Sequence, residues 1–368
     1  MNLRFLLGYN YFPHTVDVRD RVEAWLVRLR SAGFSVDGIP LSVNPPSRAM
    51  SWQEMDKLWK RGDRDLLRFY ESVALKAAEY DVFINCNGVN LHPEFVEQLP
   101  LLKVYACFDD PESSDWLSRP VAASYDLALV GNIACLDMYR GWGVKEVEWW
   151  PIGFHPHDCD ATLTKERILL EQRNIDLVLL CERISNWRDS RIETFTSAFP
   201  DGTYFGKGWP SGFLPECERV SLFQRAKIGP NFHNSIGPVN SRTFVLPANG
   251  VMQLCDNQSH LGKIFELGKE VVGFNNVEEA IELCRYYQAH DTERREIALA
   301  GWERVHRDYN EVAVFNIMVK RVTELMWGRG DLETAATNPI ARIVQQRKKT
   351  ILRNCAHEFV SGIKSRLL

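Results

Sequence analysis

Paired cysteines are missing from this chain. Its nine cysteines stand at 86, 107, 135, 159, 181, 217, 255, 284 and 355, and no two form a C-x-x-C. That spacing excludes the usual zinc-ribbon and dithiol redox patterns. Several lie in apolar strand-like runs, where Cys acts as a small hydrophobe. Net positive charge is missing too: the formal charge is −4. No nucleic-acid partner is therefore expected. No apolar run reaches 18 residues, so no membrane-spanning helix is expected. The start, Met-Asn-Leu-Arg-Phe-Leu-Leu-Gly, is too short in apolar residues for a secretory signal. With the odd cysteine count, this points to a reducing cytoplasm. No G-x-G-x-x-G follows the first apolar run, so no dinucleotide fingerprint is claimed.

What is present is the composition of a globular protein, 45% hydrophobic and 25% charged, over 368 residues. That length suits two domains. Short apolar runs alternate with helical patterns, which argues an α/β fold with parallel sheets. Strands are expected at Leu3–Tyr9, Phe34–Leu41, Val82–Cys86, Leu102–Phe108 and Leu127–Val130. Residues 52–79 are expected to be helical, with a period near 3.6 residues. Residues 156–174 are polar and read as an interdomain linker. A second series of strands follows near 175–181, 203–205, 227–230, 251–255 and 270–274, with helices between. The expected architecture is two doubly wound, Rossmann-like domains over 1–152 and 153–330, facing an interdomain cleft, with a helical tail over 331–368. Ligands of such sheets bind beyond the carboxyl ends of the strands.

The densest polar cluster is Asn231-Phe-His233-Asn-Ser-Ile-Gly-Pro-Val-Asn-Ser-Arg242, leading into a short helical segment and then Gly250 and Val-Met-Gln-Leu-Cys-Asp256. A helix start presents unpaired N–H groups suited to phosphate. Arg242 there would add a bidentate clamp. An ordinary loop and cap is the competing reading. At Cys181-Glu-Arg183-Ile-Ser-Asn-Trp-Arg188-Asp-Ser-Arg191, three arginines beside a helix start can neutralise a leaving diphosphate without a metal. The alternative is a solvated face with Arg188 and Arg191 paired to Asp189 and Glu193. In Tyr204-Phe-Gly206-Lys207-Gly208-Trp209, the glycines permit close backbone approach. Lys207 could reach phosphate there and Trp209 could wall a base, or the Trp could simply be packed.

This set resembles GT-B glycosyltransferases, in particular the spore-protein CgeB-like group. The resemblance rests on Arg242-Thr-Phe244-Val245-Leu-Pro-Ala248-Asn-Gly250, on Leu261–Phe274, and on Ile297-Ala-Leu-Ala-Gly301-Trp-Glu-Arg-Val305-His. Upstream it includes Cys107-Phe-Asp109-Asp110-Pro111, Tyr125-Asp126, Tyr139–Val144 and Trp150-Pro-Ile-Gly153-Phe-His155-Pro156. The family pattern has Glu where this chain has Val245, at a position that usually binds the nucleotide ribose. The resemblance implies a metal-independent transferase moving a sugar from a nucleotide-sugar donor, with a UDP-sugar favoured and no cofactor. It implies a glycan or lipid-linked acceptor held by the first domain. Two alternatives stay open: a sugar-nucleotide-binding or scaffolding protein without turnover, and a nucleotide-sugar epimerase.

The donor-binding candidates are Arg183, Lys207, Trp209, Asn231, His233, Arg242 and Asp256. Asp109 and Asp110 are the candidate catalytic bases, because a strand-end carboxylate can take the acceptor's proton. Asp-Asp-Pro is equally a helix-start signature, with Asp110 as N-cap. Tyr11, His14, Asn87 and His155 are the candidate cleft or acceptor residues, His14 being equally a surface histidine and His155 a hinge residue. No metal ligand is expected. Residues 340–368 combine Arg342, Arg347, Lys348, Lys349, Arg353, Lys364 and Arg366 with an apolar stripe. That pattern suits an anionic membrane surface. A peripheral place on the inner face of the cell membrane is the resulting expectation.

Overall fold

The structure, a computed structural model, describes residues 3–10, 16–42, 51–88, 90–183, 190–237, 240–257, 260–328 and 349. Tyr11, His14, Arg188 and nearly all of the expected tail lie outside the described residues. Two compact units result. One comprises Met1–Val130, Leu136–Trp149 and the chain from Met318 onward; the other comprises Gly131–Cys135 and Trp150–Ile317.

In the first unit, six strands form one parallel sheet: β1 (Arg4–Tyr9), β2 (Ser35–Pro40), β3 (Val82–Cys86), β4 (Leu102–Cys107), β5 (Leu127–Val130) and β6 (Glu146–Trp149). Their order is β2-β1-β3-β4-β5-β6. Every neighbouring pair is parallel, with Phe5 opposite both Val36 and Val82. The runs Val82-Phe-Ile and Leu127-Ala-Leu-Val are fully buried, as strands covered on both faces require. The chain reverses its direction of travel between β1 and β3, whose carboxyl ends lead to Asn10 and Asn87.

The second unit repeats this topology with five strands: β7 (Ile175–Leu180), β8 (Thr203–Phe205), β9 (Ala226–Asn231), β10 (Met252–Asp256) and β11 (Val272–Phe274). The order is β11-β10-β9-β7-β8, again parallel. Its core joins Leu177 and Leu179 of β7, Ile228 of β9, Met252 and Leu254 of β10 and Phe274 of β11 to Phe195, Phe232 and Cys284. The switch point lies between β7 and β9, the place where open α/β sheets bind ligands.

Several expectations are corrected. The helical stretch over 52–79 consists of two helices, Trp52–Arg61 and Arg64–Ala77. Gly62 ends the first in the left-handed region at φ 68°, and Asp63 caps the second by accepting from the Asp65 and Leu66 amides. An apolar period alone does not see that break. Residues 156–174 are not a linker. They carry a helix, Lys165–Leu170, with Leu163 and Ile168 in the core of the second unit. Arg173 is buried, donating to the carbonyls of Phe223, Ala226 and Asn249. The surface charges hide this packing in the sequence. Strand β6 was not expected at all, because Glu146-Val-Glu-Trp reads as polar. Glu146 and Glu148 there pair with Arg321 of the helix Glu311–Gly328 at 2.8 and 3.6 Å, within the first unit. No α-helix starts at Asp110-Pro111 either. Turns occupy residues 110–121, and the Asp110–Pro111 peptide is cis.

Candidate functional site

A cavity of about 510 Å³ opens at the carboxyl edge of the second sheet. Each wall comes from a chain segment leaving a strand. Glu182 follows β7, and Phe205, Gly206 and Lys207 end or follow β8. Asn234 follows β9. Arg219 and Phe223 project from the helix Glu216–Arg225, with Phe213 and Leu214 just before it. Ser241, Arg242 and Val245 close the remaining side. Three cations, Lys207, Arg219 and Arg242, thus share one concavity with an apolar wall of Phe205, Phe213 and Leu214. A polyanion joined to a flat or apolar group suits such a lining.

Local backbone geometry fixes this edge. Gly206 has φ 135°, and a Cβ there would stand 2.2 Å from the Cys181 carbonyl oxygen. The two segments can approach this closely only with glycine. Cys181 N–H donates to Phe205 at 3.0 Å and Arg183 N–H to Lys207 at 2.9 Å, so the chain around Glu182 is held on both sides. The Trp209 indole donates to the Cys181 carbonyl at 2.7 Å and stacks on Tyr204 at 4.9 Å. The Arg183 guanidinium lies over Trp209 at 5.6 Å. Trp209 therefore packs as support; it does not line the cavity.

Behind the cavity lies a buried polar network. Asn231 donates to Gln253 at 3.0 Å and to Thr243 at 3.2 Å, and it accepts from Asn240 at 2.9 Å. His233 meets Asp256 through Nδ1 at 2.9 Å and Thr243 through Nε2 at 3.3 Å, and its backbone N–H donates to Asp256 at 2.8 Å. Asn231, His233 and Asp256 are exposed by 0, 2 and 2%. Of these donor-binding candidates, Asn231 is satisfied by Gln253, Thr243, Asn240 and Arg242, and His233 and Asp256 by each other, as buried polar groups must be. Arg191 donates to the His233 carbonyl at 3.2 Å and approaches Asp256 at 4.0 Å, rather than pairing with Glu193. Cys255 lies 3.9 Å from His233 Nδ1, and burial raises its thiol pKa well above the ordinary value. His233, Cys255 and Asp256 are a trio of metal-capable side chains, yet their mutual hydrogen bonds already account for their polar atoms. The pairs Asp63/Asp65 and Asp158/Asp160 also have carboxylates at metal-motif spacing. Asp63 is a helix cap, Asp65 pairs with Arg68, and Asp160 holds Thr162 and Arg167.

The helix start is partly bonded within its own turn. The helix Arg242–Ala248 spans 7 residues and has no side-chain cap. Thr243 N–H bonds the Asn240 side chain at 3.2 Å, and the Phe244 and Val245 amides bond Ser241 at 3.0 and 2.9 Å. The amides of Thr243, Phe244 and Val245 are thus bonded within the turn, and Arg242 is the charged side chain that the turn adds to the lining. The Arg242 side chain donates to Asn231 Oδ1 at 3.1 Å and to the Leu180 carbonyl at 2.8 Å, lining the cavity from that anchored position.

In the first unit, Asn87 has φ 55°, and its side-chain amide donates to the exposed Asp109 carboxylate. Asn10 donates to the Asn87 carbonyl at 2.5 Å, and Asn90 donates to Asn10 at 2.7 Å. Asp110 points the other way. It is 1% exposed and accepts from the Tyr139 hydroxyl and from Ser114. Burial, the first cause, drives the Tyr139 pKa far above the ordinary phenol range. His155 Nδ1 lies 2.9 Å from Glu311, within the second unit.

Sequence reasoning missed Arg219 and Phe213, and it gave no role to Glu182 and Asn234 although both lie in the polar motifs it singled out. Arg219 sits in the ordinary charged run Glu-Cys-Glu-Arg, and only folding brings it beside Lys207.

Residues 180–318 match the family model described as glycosyl transferase-like. Among curated proteins, none matches the sequence. Sucrose-phosphate synthase from Thermosynechococcus elongatus superposes with a TM-score of 0.63 at 13% identity, over 89% of this chain and 100% of that one. HepE from Anabaena, in complex with UDP, superposes with a TM-score of 0.56 at 11% identity, over 88% and 100%. A glycosyltransferase from Rickettsia africae gives a TM-score of 0.58 at 11% identity, over 89% and 99%. The fold of this chain is the GT-B fold, two parallel-sheet α/β units with their helices, and its residues 180–318 are similar to the glycosyl transferase-like family.

Proposed function

We propose that this protein is a glycosyltransferase that takes a sugar from a nucleotide-sugar donor bound in the cavity of the second unit. The observation that carries the reading is the convergence of Lys207, Arg219 and Arg242 beside an apolar wall at that sheet's switch point. HepE has been solved with UDP and with UDP-glucose, and this supports a UDP-sugar as the donor here.

In this reading the cations act on the leaving group. The acceptor hydroxyl oxygen bonds to the anomeric carbon as the bond from that carbon to the β-phosphate oxygen breaks. The charge left on the diphosphate is neutralised by preorganised guanidinium and ammonium groups in a partly dry site. Asp109, exposed at the carboxyl edge of the first sheet, receives the hydroxyl proton. Asn87, donating to it, fixes the carboxylate's orientation. The acceptor is a glycan or a lipid-linked sugar. A peripheral place on an anionic membrane surface belongs to the same proposal and rests on the sequence of residues 340–368 alone. Among the described residues no helix is long and apolar enough to cross a membrane.

Calorimetry against UDP, GDP, ADP and dTDP tests the donor half, and release of UDP from UDP-sugars with added acceptors tests turnover. Binding without turnover on any acceptor would leave a nucleotide-binding protein. Absence of binding by every nucleotide would remove the proposal.

A further inference from the structure

We infer that Asn132 is a positioning residue for the cavity of the second unit: it holds the loop of residues 233–237 in the course that places Asn234 in the lining. On the donor-site reading given above, this adds a residue that shapes the site without lining it. Asn132 sits in Gly131–Cys135, the short segment after β5 that belongs to the second unit. It is 1% exposed. The two ends of its amide have different tasks. Oδ1 accepts from the Ala134 N–H at 2.9 Å, which caps the turn Ile133–Cys135. Nδ2 donates to the carbonyl of Ile236 at 2.7 Å, 104 residues further along the chain.

That second bond completes a set of three on the loop. The His233 N–H donates to Asp256 at 2.8 Å, and the His233 carbonyl accepts from Arg191 at 3.2 Å. The Ile236 carbonyl accepts from Asn132. Asn234 lies between these anchors and lines the cavity. Asn234 Oδ1 and Ser235 Oγ are buried and have no partner among the described residues. Residues 234–237 belong to no helix or strand, and the Ile236 side chain is 58% exposed. Apolar packing of Ile236 therefore anchors little, and the backbone depends on such side-chain bonds. Gly237 shows how closely loop and amide fit. Its φ is 125°, and a Cβ there would overlap Asn132 Oδ1, so this approach requires glycine. A lining ordered in advance lowers the entropy cost of binding. Without Asn132, the ligand itself has to order the loop.

Calorimetry on the full chain with UDP, GDP, ADP and dTDP finds the tightest nucleotide, which is then carried through the variants beside thermal melts. Asn132→Ala loses both bonds. Asn132→Ser keeps an acceptor for the Ala134 N–H but has no amide to reach Ile236. Both should weaken binding by about 3- to 10-fold, the worth of one hydrogen bond. Placed on Asn234→Ala, which removes the side chain that the loop presents, Asn132→Ala should cost less than about twofold. Wild-type affinity in Asn132→Ser overturns the inference, because the Ile236 bond then does nothing for the site. A lowered melting temperature with wild-type affinity in Asn132→Ala also overturns it and leaves Asn132 a turn cap. Fully additive losses in the double variant overturn it as well, since Asn132 would then not act through Asn234. Failure of the wild type to bind any of the four nucleotides is a separate result, which removes the donor site and this role with it.

Discussion

Arg242 Nε donates to Asn231 Oδ1 across 3.1 Å. Asn231 is fully buried, and its own amide is held by Gln253 and Thr243. The guanidinium is thus ordered before any ligand arrives, which lowers the entropy cost of binding. Arg242→Ala should weaken nucleoside diphosphate binding by about 1.5–3 kcal/mol, as for loss of a charge-assisted hydrogen bond. Calorimetry reads this, and thermal melts show whether the variant is folded. Wild-type affinity in a folded Arg242→Ala would make Arg242 a structural tie between β7 and β9 and nothing more.

Gly206 offers a backbone test of the same cavity. A Cβ would stand 2.2 Å from the Cys181 carbonyl, and φ is 135°. Neither the clash nor the dihedral can be relieved by a rotamer change. Gly206→Ala should lower stability by about 1–3 kcal/mol, the usual cost of a non-glycine residue held in such a conformation. It should weaken nucleotide binding as well, since Lys207 and Glu182 sit on the two displaced segments. Unchanged melting and affinity would show that these segments separate freely.

The two series of parallel strands were legible because their buried runs are continuous: Leu127-Ala-Leu-Val and Met252-Gln-Leu-Cys admit few other readings. Strand β6 was not, since Glu146 and Glu148 break up its apolar pattern; it pairs with β5 through the backbone, and Arg321, far along the chain, pairs with both carboxylates. The site was legible in part. Lys207 and Arg242 were found by their place after strands and line the cavity. Asn231, His233 and Asp256 were found by the same rule, yet they are buried in the polar network behind the cavity. A cluster of polar residues at strand ends signals a network, and sequence alone does not say which of its members faces outward. Arg219 carried no local signal, because its significance lies in what folding brings beside it.

Acid should act on the helix Asp291–Asp308 through Asp291. Its carboxylate accepts from Arg294 and from Arg295, both at 2.5 Å, and these bonds, Arg294 first, hold its pKa down to about 2 against 3.8. A depressed folded pKa means stability that is present above the unfolded value and lost as pH falls through the folded one. The window is therefore about pH 4 down to about pH 2. Asp291 is half exposed, so solvent screens the effect. The difference in melting temperature between wild type and Asp291→Asn should be constant from pH 7 to 5 and should shrink below pH 4. A difference that persists unchanged to the lowest pH at which both fold would show that the ionised carboxylate is not what Arg294 and Arg295 need.

Asp109 and Asp110 are adjacent in sequence and opposite in circumstance, which makes them a controlled pair. Asp109 is exposed and steered by the Asn87 amide. Asp110 is buried and receives the Tyr139 hydroxyl and Ser114. If Asp109 takes the acceptor's proton, Asp109→Asn keeps shape and hydrogen bonding but removes the base. Transfer should fall about 100-fold or more, a typical general-base contribution, with donor affinity and melting temperature unchanged. Asp110→Ala should do the reverse. It strands a buried phenol hydroxyl, costing about 1–3 kcal/mol of stability, while the folded fraction keeps its donor affinity. Asn87→Ala, which leaves Asp109 in place but unsteered, should fall between wild type and Asp109→Asn in rate and lower kcat more than it raises KM. Rates from UDP-sugar turnover beside thermal melts of all three variants decide the matter. Full activity in Asp109→Asn would take the proton transfer away from this residue, and equal loss of rate and stability in both aspartate variants would make the pair purely structural.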